Sequence, residues 1–190
     1  MYPIRSLVLL CTLYSFLLTS CASYSNSSYA PSVQKKKVTT TTTTVVKKPN
    51  YASRIPKYVD TGNQKAIIVY PSVHAWGAYG ANGELIRAGL ATSGSNWCPD
   101  IKRACRTKAG TFRIKSLGSF GCKSSIYPLP RGGAPMPYCM FFNGHQGLHG
   151  SYNVVDANAS HGCVRLTVSD AEWVRFNFAT IGTKVIVRPY

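Results

Sequence analysis

Gly147-Leu148-His149-Gly150 and, shortly after it, Ser160-His161-Gly162-Cys163-Val164-Arg165-Leu166 are the stretch from which the rest of the chain is read. A cysteine becomes a useful nucleophile when a nearby base or positive dipole favours its thiolate, and imidazole is the side chain best suited to that near neutral pH. Cys163 has two candidate partners. His161 lies two residues before it, and on a strand residues i and i+2 share a face, but a tight turn at Gly162 would aim the two apart. His149 comes from a separate segment, as the base of a Cys–His arrangement commonly does. Val164-Arg165-Leu166 has β character, so the sequence predicts a strand that starts at the thiol.

Outward from this stretch the chain reads as short β runs broken by turn residues. Ala66 to Tyr70 is β-branched and aromatic and is bounded by Pro71. Ala75 to Tyr79 and Glu84 to Leu90 flank Asn82-Gly83, which predicts a hairpin with a type I′ turn. Phe112 to Ile114, Tyr138 to Phe142 and Lys184 to Arg188 are further strand candidates. One helix is marked: Ser169 and Glu172 have capping-box spacing, Ala171, Val174 and Phe178 fall on one face, and Gly182 is a plausible stop. The expected fold is mainly β, a sandwich or partly closed barrel with one helix near the C-terminus. The long loops 92–110 and 116–137 carry function or need stapling.

The seven cysteines suit the second option. Cys11 lies in an N-terminal apolar run and Cys21 ends it, which leaves five. Four of these can pair in three ways. The neighbouring choice, Cys98 with Cys105 and Cys122 with Cys139, pins one long loop each and leaves Cys163 over. A zinc site would compete for the same four sulfurs, but none shows the C-x₂₋₄-C spacing of structural zinc, and no metal or cofactor is expected.

The apolar run Leu7 to Leu18, after Arg5, has the length of a signal-peptide core and is short for a membrane span. Leu18-Thr19-Ser20-Cys21 resembles a bacterial lipobox. That resemblance implies cleavage of residues 1–20, a lipid anchor at Cys21 and, with Ala22 following, a periplasmic lipoprotein directed to the outer membrane. Residues 21–59 read as a basic low-complexity tether rich in Ser, Thr and Lys. Residues 1–59 hold eight of the 22 basic residues and none of the six acids, within a net charge of +16. So few acids argue against paired-carboxylate chemistry and against an acid-rich calcium or magnesium cage. The charge attracts polyanions; no nucleic-acid module accompanies it, and cell-wall polymers or anionic lipid fit it equally.

Residues 60–190 resemble the catalytic domain of the L,D-transpeptidase (YkuD) family, whose hallmark is a His-Gly pair followed by Ser/Thr-His-Gly-Cys. His149-Gly150, Ser160-His161-Gly162-Cys163, the strand before the His-Gly pair and the closing helix and strand carry the likeness. The resemblance implies a peptidoglycan transpeptidase. Cys163 would attack the carbonyl between the L- and D-centres of a donor tetrapeptide stem. His149 would be the base, its ring oriented by a main-chain carbonyl such as that of Gly150. Backbone N–H groups around Gly162 and Cys163 would hold the oxyanion, with Ser160 and His161 shaping the site, and Arg165 would grip a stem carboxylate. One departure is local: Thr107-Lys108-Ala109-Gly110-Thr111-Phe112 has Lys where the family often has Pro. Two alternatives share the scaffold, a dormant wall- or host-surface-binding lipoprotein and a stem-trimming L,D-carboxypeptidase. Oligomeric state is not legible.

Overall fold

The computed structural model of the protein describes residues 49–190. The apolar run, Cys21 and the basic stretch as far as Lys48 lie outside the described residues.

Nine strands among the described residues form two sheets. The first has the order β3 (Leu85–Leu90), β2 (Ala75–Tyr79), β1 (Ala66–Tyr70), β9 (Lys184–Val187) and β4 (Gly110–Arg113). The second runs β5 (Ser116–Leu117), β6 (Met140–Asn143), β7 (Gln146–Ser151) and β8 (Val164–Thr167). The sheets face each other without closing, so of the two expected architectures the sandwich is the one observed. Ile67, Val69, Trp76, Ala78, Val185 and Val187 from the first sheet meet Met140, Phe142, Leu148, Val164 and Leu166 from the second. Ala171, Val174 and Phe178 seal the end of this core. β1 is apolar at every position because it is central and covered on both sides; Ala66 and Ile68 point away from the main core into a smaller cluster with Ile55, Ala75 and Tyr79.

That smaller cluster moves the start of the domain. The tether expected over 21–59 includes a 3₁₀ turn at Tyr51–Arg54 and a buried Ile55, both packed onto the first sheet. Sequence pattern missed this segment because its apolar residues, Tyr51, Ala52, Ile55, Tyr58 and Val59, are interrupted by Pro56 and interspersed with Arg54 and Lys57.

Other expectations shift in detail. The β2–β3 turn is not type I′. Gly83 N–H bonds the Gly80 carbonyl at 3.0 Å and Gly80 N–H bonds the Glu84 carbonyl at 2.9 Å, and of Asn82 and Gly83 only Gly83 has positive φ, at 82°. This is a type I turn followed by a left-handed glycine. The strand expected from Tyr138 begins at Met140, since Tyr138 is left-handed at φ 57°. Thr167, not Ser169, caps the helix: its hydroxyl accepts from Asp170 N–H at 3.1 Å. α1 (Val168–Trp173) then widens into a π-helical turn, Val174–Phe178, so that it ends at Ala179 and Gly182 serves the turn into β9 instead. The least anticipated element is β7, whose Gln-Gly-Leu-His-Gly-Ser sequence has poor β propensity. It forms because it pairs on both sides, antiparallel to β6 and parallel to β8.

Candidate active site

β7 and β8 place the chemistry. Their parallel register sets Leu148 beside Val164 and His149 beside Arg165. Because side chains alternate along a strand, Leu148, Val164 and Leu166 enter the core while His149 and Arg165 face the other way. That face lines a cleft of about 950 Å³, which Cys163 also lines. Cys163 stands one residue before β8 and, continuing the register, level with Gly147. Glycine is required there: a Cβ on Gly147 would sit 2.8 Å from the Met140 carbonyl oxygen. His149, two residues further along β7, is the diagonal neighbour of the thiol on the same face.

Among the described residues Cys163 is the one cysteine outside a disulfide, and it is half-buried. Its thiol donates to the His145 carbonyl at 3.3 Å. Burial pushes its pKa up, opposed by the Gly147 N–H on the sulfur and by the Arg165 charge. The resting group is therefore a neutral thiol.

His149 is buried, with 6% exposure. Burial lowers its pKa to about 4, against the raising effect of its bond to the Gly150 carbonyl, and Arg165 lowers it further. The imidazole is thus neutral near pH 7. A carbonyl can only accept, so Nδ1, 2.8 Å from the Gly150 oxygen, carries the ring proton. Nε2 is left with a bare lone pair, the form that a proton acceptor needs. Gly150 is itself fixed by its N–H on the Pro137 carbonyl at 2.7 Å, and a Cβ there would come within 3.1 Å of both that oxygen and Val168 Cα.

The turn before the thiol is tied from inside. Ser160 is buried, and its hydroxyl donates to the Cys163 carbonyl and accepts from Gly162 N–H at 3.0 Å. Gly162 adopts φ 119°, which L side chains rarely do. Its carbonyl accepts from the Thr107 hydroxyl at 2.9 Å, and the Thr107 hydroxyl oxygen in turn accepts from Gly94 N–H at 3.0 Å. In this turn the Gly162 N–H is held by the Ser160 hydroxyl. The Cys163 N–H makes no hydrogen bond among the described residues. Thr107 opens the run in which Lys108 replaces the usual Pro, and it does structural work there through its hydroxyl.

His161 lines the same cleft, and its ring is engaged by the two long loops. Its Nε2 lies 2.8 Å from Asp100 Oδ2, and its ring stacks on Tyr127 with centroids 4.3 Å apart. Asp100 belongs to a loop closed by Cys98–Cys105 and Tyr127 to one closed by Cys122–Cys139. His161 therefore joins both long loops to the nucleophile turn. Cys98, Cys105 and His161 gather within 4.8 Å, but the two sulfurs are bonded to each other and are not thiolate ligands. Arg165 is half-buried in the cleft, and its guanidinium has no carboxylate partner among the described residues. Sequence reasoning missed Asp100, Tyr127, Thr107 and Gly147. Nothing local marks the first three, since their roles depend on pairings across the fold; the glycine before Leu148 was the one available signal.

A free thiol and a buried, neutral imidazole lining one cleft of a two-sheet β sandwich are an arrangement suited to acyl transfer through sulfur. The sequence profile of the L,D-transpeptidase catalytic domain, YkuD, matches residues 64–187, and the chain belongs to this family. No curated protein matches it. Among solved structures it is similar to an L,D-transpeptidase of Xylanimonas cellulosilytica at 21% identity and TM-score 0.59, over 72% of this chain and 66% of that one. It is similar to one of Mycobacterium smegmatis at 21% identity and TM-score 0.54, over 66% and 59%. L,D-transpeptidase 3 of Mycobacterium tuberculosis, with a faropenem-derived adduct, matches at 21% identity and TM-score 0.52, over 66% and 60%. The chain spans less than two thirds of the length of these structures.

Proposed function

We propose that the protein is a peptidoglycan L,D-transpeptidase that works through a thioester on Cys163. The observation that carries this reading is the Nδ1–H bond from His149 to the Gly150 carbonyl, which leaves Nε2 unprotonated on the face shared with the thiol. A donor tetrapeptide stem lies in the cleft with its terminal carboxylate on Arg165, whose planar fork can bind it by two hydrogen bonds. The thiol proton passes to His149 Nε2 as sulfur attacks the carbonyl between the L- and D-centres. With the thiol pKa raised and the imidazole pKa lowered, a resting ion pair is unfavourable. The proton therefore leaves as the C–S bond forms. The Cys163 N–H steadies the oxyanion; one such donor is worth about 3–4 kcal/mol elsewhere. Collapse of the intermediate breaks the C–N bond, and His149 returns the proton to the departing D-amino acid. In the second half an acceptor amine attacks the thioester carbonyl and gives its proton to His149; collapse breaks the C–S bond, and His149 passes that proton to the departing sulfur, restoring the neutral thiol.

In this reading Cys21 carries a lipid anchor that holds the enzyme in the periplasm, at the outer membrane, within reach of the wall. Metabolic labelling with a fatty acid reports on that part: incorporation lost in Cys21→Ala supports it, and no incorporation overturns it. The reaction is tested by incubating the protein with a tetrapeptide donor and an amine acceptor and resolving the products. Cross-linked dimer absent from Cys163→Ala supports transpeptidation. Tripeptide alone identifies a trimming carboxypeptidase, and an unchanged donor leaves a dormant binding module.

A further inference from the structure

Among the described residues four basic ones, Arg103, Lys115, Lys123 and Arg165, line the cleft, and no Asp or Glu does. None of the four has a salt-bridge partner among the described residues. The described Arg–carboxylate pairs lie elsewhere, at Arg54–Asp156 and Arg87–Asp170, and of the two His–carboxylate contacts, His74–Asp156 and His161–Asp100, only the second reaches the cleft, through the imidazole. Uncompensated like charges around one concavity focus a positive potential into it and raise the local concentration of anions.

The walls are built rather than incidental. Arg103 sits in the loop closed by Cys98–Cys105 and is held there by backbone, its carbonyl accepting from Cys98 N–H at 2.9 Å. Lys123 follows Cys122 in the second disulfide loop and is bridged to Pro135 across that loop. Lys115 enters from the strand edge, its N–H on the Phe141 carbonyl at 2.8 Å. His161 ties both loops to the nucleophile turn through Asp100 and Tyr127. Asp100 is spent on that imidazole and does not face the cleft.

Resting on the function proposed above, we infer that Arg103, Lys115 and Lys123 form a carboxylate-reading wall that selects donor stems with free acidic side chains over stems in which those acids are amidated. Arg165 serves the terminal carboxylate, so the other three cations are available for charge further along the peptide. A carboxamide has nearly the shape of a carboxylate but no charge, and it presents N–H donors where these cations need an acceptor. Exposed single pairs contribute little each, so the preference is the sum of several.

Two synthetic tetrapeptides test this, one with two free side-chain carboxylates and its bis-carboxamide counterpart. Binding to the Cys163→Ala protein, measured by calorimetry at low salt, is expected to favour the carboxylate form roughly tenfold. The preference shrinks to about twofold or less in Lys115→Gln/Lys123→Gln, and falls with added salt as charges are screened. Affinity for the bis-carboxamide stays unchanged in the double variant, which shows that the wall is still folded. Equal affinity for both peptides, or a preference the double variant keeps, overturns the inference. Intact-mass detection of the acyl enzyme on wild-type protein reads the underlying function separately. A binding preference without acylation removes the transpeptidase reading and leaves the charge-reading wall, whereas acylation without a preference does the reverse.

Discussion

The two sheets of this domain use the same alternation for different ends. In the five-stranded sheet both faces of β1 are apolar: Ile67 and Val69 fill the main core, while Ala66 and Ile68 fill the smaller cluster under the Tyr51–Arg54 turn. In the four-stranded sheet only one face is structural. Leu148, Val164 and Leu166 enter the core, while the intervening His149 and Arg165, with Cys163 at the strand's edge, face the cleft. A sheet covered on both sides gives stability and no chemistry. A sheet covered on one side can hold a thiol, an imidazole and a guanidinium at fixed spacing on a rigid frame.

The strongest break of this comparison falls on β7 itself. His149→Gln can keep a donor on the Gly150 carbonyl but has no base, so cysteine acylation is expected to slow by about 10²–10⁴-fold. Thermal stability should stay close to wild type, and a large drop in Tm would mean that the open face is structural after all. Next in size, Ile67→Ala and Ile68→Ala each remove a fully buried side chain from opposite faces of β1. Denaturant titration should show about 2–5 kcal/mol lost in each case. On β7 only Leu148→Ala should behave so.

A third prediction uses pH. The folded pKa of His149 lies below that of an unfolded imidazole, near 6.5, so between about 6.5 and 4 only the unfolded chain takes up this proton. Stability is therefore lost as pH falls, by about 2 kcal/mol between pH 7 and 5. The check is the difference between wild-type and His149→Gln titrations, because the other three histidines cancel in it. Equal slopes would show that His149 is not held neutral by burial. The smallest effect is expected at the loops: Asp100→Asn keeps an acceptor for His161 and should change the acylation rate by about threefold or less. A change as large as that of His149→Gln would make His161 part of the proton path.

The half of the architecture made from propensity was legible in sequence. Ala66–Tyr70 and Ala75–Tyr79 are strands at the positions their β-branched and aromatic residues indicate. β7 was not, because Gly147 and Gly150 are there for close backbone approach and depress local β propensity. The candidate site splits in the same way. Cys163 and His149 stood out as residue types in a motif. The tautomer of His149 and the docking of His161 on Asp100 and Tyr127 depend on pairings between segments distant in sequence.

The most direct measurement of the account is the intact mass of the protein with a carbapenem across pH 4 to 8, in wild type, Cys163→Ala and His149→Gln. The account predicts one adduct per wild-type chain, mapped to Cys163, with a rate whose acid limb lies near the low pKa of His149. No adduct should form on Cys163→Ala, and formation on His149→Gln should be slow throughout. An unmodified wild-type protein, an adduct on another residue, or a His149→Gln rate equal to wild type would contradict it.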